Sequence, residues 1–323
     1  MSYYTERGVF IKVEGTWGVE ATPTTADVVN YLMDYEAEIT ENKEEEFVIG
    51  GSRDSVKRVW LQREVAGALE FEPVSARAFY LALGGVLGGG VSGEGASLPC
   101  TITPTSILPG ITLQREIRYP EEWLTTYGNK VDRLELTIEN ETGAMIAIDF
   151  AGKDGNNTDH TWMTPDIDFT LEPLTFYNSK VVRTGPGGAA TLDHLRSFSI
   201  ECRNDLEARF SPGAGTFVAQ EIREKGLEVS GRMVIDYPFN TFATDILNRT
   251  ESTITVTLGN ADNGTMVITL NNVTFEGFPD AISGLDVMEL DLTWMARKPS
   301  PTEYAIQVVY NNPNGGVLSD YKY

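Results

Sequence analysis

Histidine and cysteine are nearly absent from this chain, with two of each among 323 residues. His160 and His194 are too few for most metal centres and most acid–base sites. Cys100 and Cys202 leave a single bridge open, but neither lies in a ligand cluster, and two thiols do not make a disulfide framework. Cys202 sits on an alternating run, where a small, buried, unpaired residue is expected. Long apolar runs are missing as well. No stretch approaches the length that spans a bilayer, so no membrane contact is expected. Met1 to Gly15 carries acidic residues and alternation, where a secretory leader would have a basic start and an apolar core.

Positive charge is scarce too. Forty-seven acidic residues against 25 basic ones give a net charge of −22. A surface of that sign repels a nucleic-acid backbone, which argues against tight or specific DNA binding. Three readings of it stay open: an acidic surface in solution, adaptation to high salt, or a passage to which a polyanion must not stick. Carboxylates are everywhere, yet no pair has the helical register and apolar surround that would raise one pKa for acid catalysis. His160, beside Asp159 and Trp162, reads as a turn histidine. The oxygen-rich run Asp154 to Asp159 lacks the spacing and the terminal glutamate of a calcium loop. The glycines from Gly84 to Gly95 have neither the Lys-Ser/Thr nor the βαβ setting of a phosphate cradle. No catalytic, cofactor-binding or metal-binding residue is expected, and no cofactor.

What the chain does contain is a repeat. Val65-Ala66-Gly67-Ala68-Leu69-Glu70-Phe71, followed by an apolar run from Phe79 to Leu83, returns as Val229-Ser230-Gly231-Arg232-Met233-Val234-Ile235, followed by Phe242 to Leu247. Val65, Gly67, Leu69 and Phe71 each recur 164 positions later, and Tyr35, Ala37 and Ile39 recur 163 positions later as Phe198, Ile200 and Cys202. One inserted residue between Phe47 and Val65 accounts for the change of spacing. Such self-similarity must be settled before a fold is assigned. It predicts one domain used twice, over 1–165 and 166–298, with 299–323 as a C-terminal extension.

The local pattern within each unit is β. Val9 to Val13 is short and β-branched, and Gly15-Thr16-Trp17-Gly18 then turns the chain. Tyr35, Ala37 and Ile39 alternate with polar residues, as do Val65 to Phe71 and Ile111 to Tyr119. Leu134 to Ile138 alternates again after Gly128-Asn129-Lys130, and Met145 to Phe150 follows. In the second unit Glu251 to Gly259 forms a hairpin with Met266 to Leu270, Val273 to Phe275 follows, and Leu285 to Trp294 stands 142 positions after the Met145 strand. Ser75 to Leu83 reads as a short amphipathic helix that Gly84-Gly85 ends. Lys43 to Arg63 is charged and long for a loop in a compact domain, which points to a protruding arm. Arg209 to Leu227 is its counterpart. Ile306 to Tyr310 reads equally as an extra strand, an arm or part of a disordered tail.

In order and spacing these segments resemble the major tail tube protein of tailed, siphovirus-like bacterial or archaeal viruses, in a branch with two domains per chain. The likeness rests on Gly15-Thr16-Trp17-Gly18 with Ala21-Thr22-Pro23-Thr24, on Val65 to Phe71, on Phe79 to Gly84, and on Phe150-Ala151-Gly152-Lys153-Asp154. It continues in Leu195 to Ile200 and Asn204 to Arg209. The resemblance implies a mainly β fold: a duplicated β-sandwich or half-barrel domain, each copy with one short flanking helix. It implies inner sheets that join their neighbours into rings, rings that stack into a hollow tube, and viral DNA that passes through without specific binding. With two domains per chain the matching ring is a trimer of pseudo-sixfold symmetry. Partners would be further copies of the chain, a tape-measure protein, and tail-terminator or tip proteins; the site would be the virion tail, after synthesis in the host cytoplasm. The family places an extended loop at the ring-to-ring contact, which makes Arg53, Lys57, Arg58, Arg223 and Lys225 candidates for stacking salt bridges. Which strand face would be luminal stays open. The competing readings are another β-rich self-assembling surface, sheath or fibre protein, and a glycan-active β-sandwich enzyme.

Overall fold

The computed structural model describes residues 7–29, 32–46, 57–72, 76–88, 100–117, 122–140, 143–157, 177, 179–186, 188–211, 217–236, 248–260, 264–276 and 289–311. The expected second helix at Phe242 to Leu247 lies outside these residues, as do His160 and Arg53. The first half supplies β1 (Arg7–Val13), β2 (Leu32–Glu46), β3 (Lys57–Phe71), α1 (Ala76–Leu87), β4 (Cys100–Ile102), β5 (Ile111–Ile117), β6 (Glu122–Glu139), β7 (Ala144–Gly152) and β8 (Asp154–Asn156). The second half supplies β9 (Ser179–Gly185), β10 (Gly188–Thr191), β11 (Leu195–Arg203), β12 (Leu206–Arg209), β13 (Glu221–Glu224), β14 (Glu228–Asp236), β15 (Ser252–Asn260), β16 (Gly264–Glu276), β17 (Glu289–Ala296) and β18 (Ile306–Asn311). The fold is mainly β and its pairings are antiparallel, because the alternating runs bury one side each. In β7 every second residue is buried, and in β15 Ile254, Val256 and Leu258 are buried between threonines that are not.

Strand order is the same in both halves. The first runs β1-β5-β6-β7-β3-β2 and the second β9-β15-β16-β17-β14-β11. Registers agree as well. Ile11 and Leu113 face each other across β1 and β5, and β5 slips by one residue against β6 between Ile111 and Leu113; β15 slips against β16 between Ser252 and Ile254. Gly67 pairs with Ala37 and Phe150, and Gly231 with Ile200 and Trp294. Phe150 thus corresponds to Trp294, a spacing of 144, and the spacing of 142 read from the sequence is corrected by two residues. A slip of two keeps every side chain on the same face, so apolar alternation alone does not reveal it.

The long strands β6 and β16 each serve two sheets. The first part of β6 pairs with β5 and β8, and its second part lies between β7 and β11. β16 likewise passes from β15 and β18 to β17. The change of sheet comes at a left-handed residue, Gly128 (φ 64°) in one and Asn272 (φ 44°) in the other. Glycine and asparagine tolerate that conformation best. The strand therefore runs through Gly128-Asn129-Lys130 instead of starting after it.

Two further expectations are corrected. The helix α1 does not stop at Gly84-Gly85 but continues to Leu87. A Cβ on Gly85 would lie 2.8 Å from Val131 Cγ2 and 3.0 Å from Ile111 Cδ1, so the glycine lets the helix backbone sit close on the sheet. Termination comes at Gly88 (φ 71°), whose amide donates to the Gly84 carbonyl at 2.8 Å. In the charged segment Lys43 to Arg63 the described residues, 43–46 and 57–63, are strand, because β2 and β3 continue as a two-stranded ribbon to the pair Glu46 and Lys57. The C-terminal extension contains β18, inserted between β16 and β4 with Ile306 and Val308 fully buried. It thereby links β16 of the second half to β4 of the first. One apolar core runs through both halves, from Val9 and Phe71 to Trp294 and Val308. Cys202 lies in it as a free, buried thiol whose pKa burial pushes up to about 12.

Candidate assembly surfaces

The largest functional feature is a continuous sheet of eight strands, β16-β17-β14-β11-β6-β7-β3-β2. Its apolar side carries Leu69, Ile148, Leu136, Ile200 and Met233 into the core. The other side stays accessible to water. Across adjacent strands this face presents Glu36, Ala68, Asp149, Arg133, Arg203 and Glu228 as one row of paired positions. Glu38, Glu64, Glu70, Glu135, Glu201 and Asp291 lie on the same side, so acid dominates it.

The two halves join in this sheet, where β11 pairs with β6 from Ser197↔Glu139 to Arg203↔Arg133. Glu201 and Glu135 stand directly opposite, a destabilising arrangement for like charges. Arg133 relieves it. Its guanidinium contacts Glu201 and Glu135 at 2.6 Å each and Asp149 at 3.6 Å. Burial pulls the Arg133 pKa down, but the carboxylates more than offset this and hold it above the ordinary arginine value. One arginine thereby ties β6, β7 and β11 together.

The second hairpin, β12 with β13, does not project. Asp205, in the left-handed conformation (φ 50°), turns it out of the sheet, and it closes on the first half. Asn204 Nδ2 donates to the carbonyls of Val86 (2.8 Å) and Val131 (2.9 Å), and the Leu206 amide to Asp132 Oδ1 (2.8 Å). Lys130, only 6 % exposed, donates from Nζ to the Ile222 carbonyl (2.7 Å) and to Glu224 Oε1 (2.6 Å). Burial pushes the Glu224 carboxyl up, yet the bonds from Lys130 and the Leu108 amide outweigh it and leave the pKa below the ordinary value.

Lys130 is held in place by the Gly15 to Gly18 turn. Its Nζ and that of Lys153 lie 5.6 and 5.4 Å from the Trp17 ring centroid, a cation–π arrangement. The Trp17 indole N–H donates to the Gly128 carbonyl at 3.1 Å. Beneath it the buried Glu14 carboxylate accepts from the amides of Gly18 (2.7 Å) and Gly128 (2.6 Å) and from the Thr112 hydroxyl (3.0 Å). Burial raises its pKa and these bonds oppose the rise. Among the described residues the second half has no such socket. Thr274 occupies the register of Lys130, and the run after Gly185 is Pro186-Gly187-Gly188-Ala189-Ala190, without tryptophan or carboxylate.

The stacking candidates are therefore placed differently from one another. Lys57 and Arg58 lie on β3 opposite Glu46 and Glu45, near the described end of the first ribbon. Arg223 pairs with Glu221 at 2.7 Å and Lys225 reaches Glu207 at 3.7 Å, both within the docked second hairpin. Asp154 is engaged by Arg63 Nη1 (3.0 Å) and the Tyr127 hydroxyl (3.2 Å). Sequence reasoning missed Lys130, Glu224, Asn204 and Arg133. The one available signal was Glu14, a lone acid closing an apolar strand just before two glycines and a tryptophan.

Comparison with protein families gives one decisive match. A family model for phage tail tube proteins covers residues 6–296. The chain belongs to the phage tail tube protein family. The match runs from the start of β1 to the end of β17 and takes in both halves of this tail tube protein, leaving β18 beyond it. No curated protein matches the chain. Its role is that of a structural subunit of the viral tail, and it self-assembles there with other tail proteins. Among the described residues no helix is long and apolar enough to cross a membrane.

Proposed function

We propose that three copies of this chain, each carrying the tube domain twice, close into a ring of pseudo-sixfold symmetry and that such rings stack into the conduit for the viral genome. The observation that carries the reading is the edge-to-edge junction between the halves. β11 of one half lies on β6 of the other within a single sheet, and β2 ends that sheet; among the described residues only β3 pairs with it. Repeating the same step between chains sets β2 against β16 of a neighbour and leaves no open edge, the usual hazard of a β protein. Three copies of eight strands, spaced ~4.8 Å and tilted ~40°, would close at a backbone diameter of about 48 Å, or roughly 37 Å between side chains. That bore passes duplex DNA with clearance. The acidic, water-accessible face would line it, so DNA would slide without adhering and without any catalytic step.

Stacking falls chiefly to the first ribbon, which carries Arg53, Lys57 and Arg58. Arg223 and Lys225 keep half-exposed side chains on the docked hairpin and would contribute from the ring surface. Tape-measure protein would fill the bore before DNA, and terminator and tip proteins would cap the ends of a tube built in the host cytoplasm. Negative-stain microscopy of the purified chain tests this. Stacked rings with an open bore are expected, and solid fibres or flat arrays would overturn it.

A further inference from the structure

The seam inside the chain and the seam between chains carry opposite charge where they should match, and we infer that closure of the ring is consequently promoted by salt. The inference rests on the ring proposed above and concerns the partner edge of a second copy of this chain. Inside the chain, Glu201 on β11 meets Arg133 on β6 at 2.6 Å. Registers identify the corresponding residues at the other seam. Ala37 pairs with Gly67 and Ile200 with Gly231, so Glu38, the next residue, occupies the place of Glu201. Phe150 pairs with Val131 and Asp149 with Arg133; Trp294 pairs with Phe275 and Thr293 with Glu276. Glu276 therefore occupies the place of Arg133, and Thr293 that of Asp149.

Where the internal seam has a guanidinium among three carboxylates, the seam between chains sets the Glu276 carboxylate toward Glu38, with Glu36 two residues along the same strand. All three are exposed on the water-accessible face. The backbone ladder and the apolar side of the sheet favour closure, and this pair opposes it. Diagonal neighbours on paired strands lie roughly 5–8 Å apart. That is inside the screening length of ~10 Å at 0.1 M salt and outside the ~3 Å at 1 M. Each ring would contain three such seams, so the repulsion is felt three times for every closure. The net charge of −22 adds a diffuse repulsion of the same sign, and the experiment must separate the two.

The test follows assembly of the full chain by sedimentation and negative-stain counting of closed rings, across a series from low NaCl to 1 M. The wild type is expected to close more as salt rises. Glu276→Arg supplies the missing cation, and Glu38→Arg supplies it from the other side. Each should lower the NaCl needed for half-closure by at least about twofold. The double variant Glu38→Arg with Glu276→Arg places two cations together and should return toward the wild-type dependence. Glu303→Arg, an exposed position in the turn before β18, makes the same change of net charge away from the seam and should shift closure less. Thermal unfolding of the unassembled chain checks that each variant folds. Equal shifts for Glu276→Arg and Glu303→Arg, or a double variant that behaves like the singles, would overturn the inference while leaving the ring intact. A wild type that forms no ring at any salt overturns the ring itself.

Discussion

Gly67 and Gly231 show at the residue scale why the repeated segment has its composition. In each, a Cβ would collide with a backbone carbonyl of the adjacent strand, Glu36 or Ser199, and with an aromatic ring, Phe150 or Trp294. In the second half Phe198 stacks on Trp294 with centroids 5.5 Å apart and an interplanar angle of 12°. Such a pair contributes about 0.5–1.5 kcal/mol beyond its buried area. Gly67→Ala and Gly231→Ala should each destabilise by at least ~2 kcal/mol, because the obstacle is backbone and cannot rotate away. Thermal or denaturant unfolding of the unassembled chain measures this, and an unchanged midpoint would contradict it. The glycines were legible as repeated letters; their reason was not, since it depends on a partner 83 positions away in one half and 63 in the other. Lys130 and Glu224 were illegible for the same reason, being 94 positions apart and ordinary in their local sequence.

Elements were legible where one face is buried and the other is not. β7, β14, β15 and β17 alternate because each has a core side, and the sequence showed them; β5 alternates in sequence although both its faces are buried, Thr112, Gln114 and Glu116 included. The first ribbon beyond Glu41 is dense in charge and lacks a clear apolar alternation, so it reads as loop although residues 43–46 and 57–63 are strand. The helix past Gly84 reads as ended because the intrinsic cost of two glycines, about 1 kcal/mol each, is visible, whereas the packing that outweighs it is not. The two hairpins now have separate expectations. Replacing residues 47–56 by a short turn should leave rings that close but do not stack, visible as single rings in place of tubes. Docking of the second hairpin should respond to acid. The folded-state pKa of Glu224 lies below its ordinary value of 4.5, so its contribution is fully present above that value and is lost as pH falls through the lower, folded-state pKa. Protection of the 221–224 amides against exchange, taken relative to the intrinsic rate at each pH, should therefore fall as pH drops below 4.5 in the wild type. Glu224→Gln, already without the charge, should exchange faster at neutral pH and lose this acid step.

At the scale of the whole molecule, the chain reads as a ring segment. Its strand order occurs twice, its halves meet edge to edge, and β18 and the docked hairpin add further contacts between them. Family membership makes it a tail tube protein; the proposed count of three copies rests on the repeat and the junction. In the proposed tube, charge acts as a surface property that keeps the inner face from holding a polyanion. The measurement that bears most directly on this account is the symmetry and subunit count of purified assemblies, by electron cryomicroscopy with mass determination of a single ring. The account predicts three chains per ring, six near-equivalent lobes, an open bore and the acidic sheet face lining it. A stable monomer, or six copies of this chain around one bore, would contradict it.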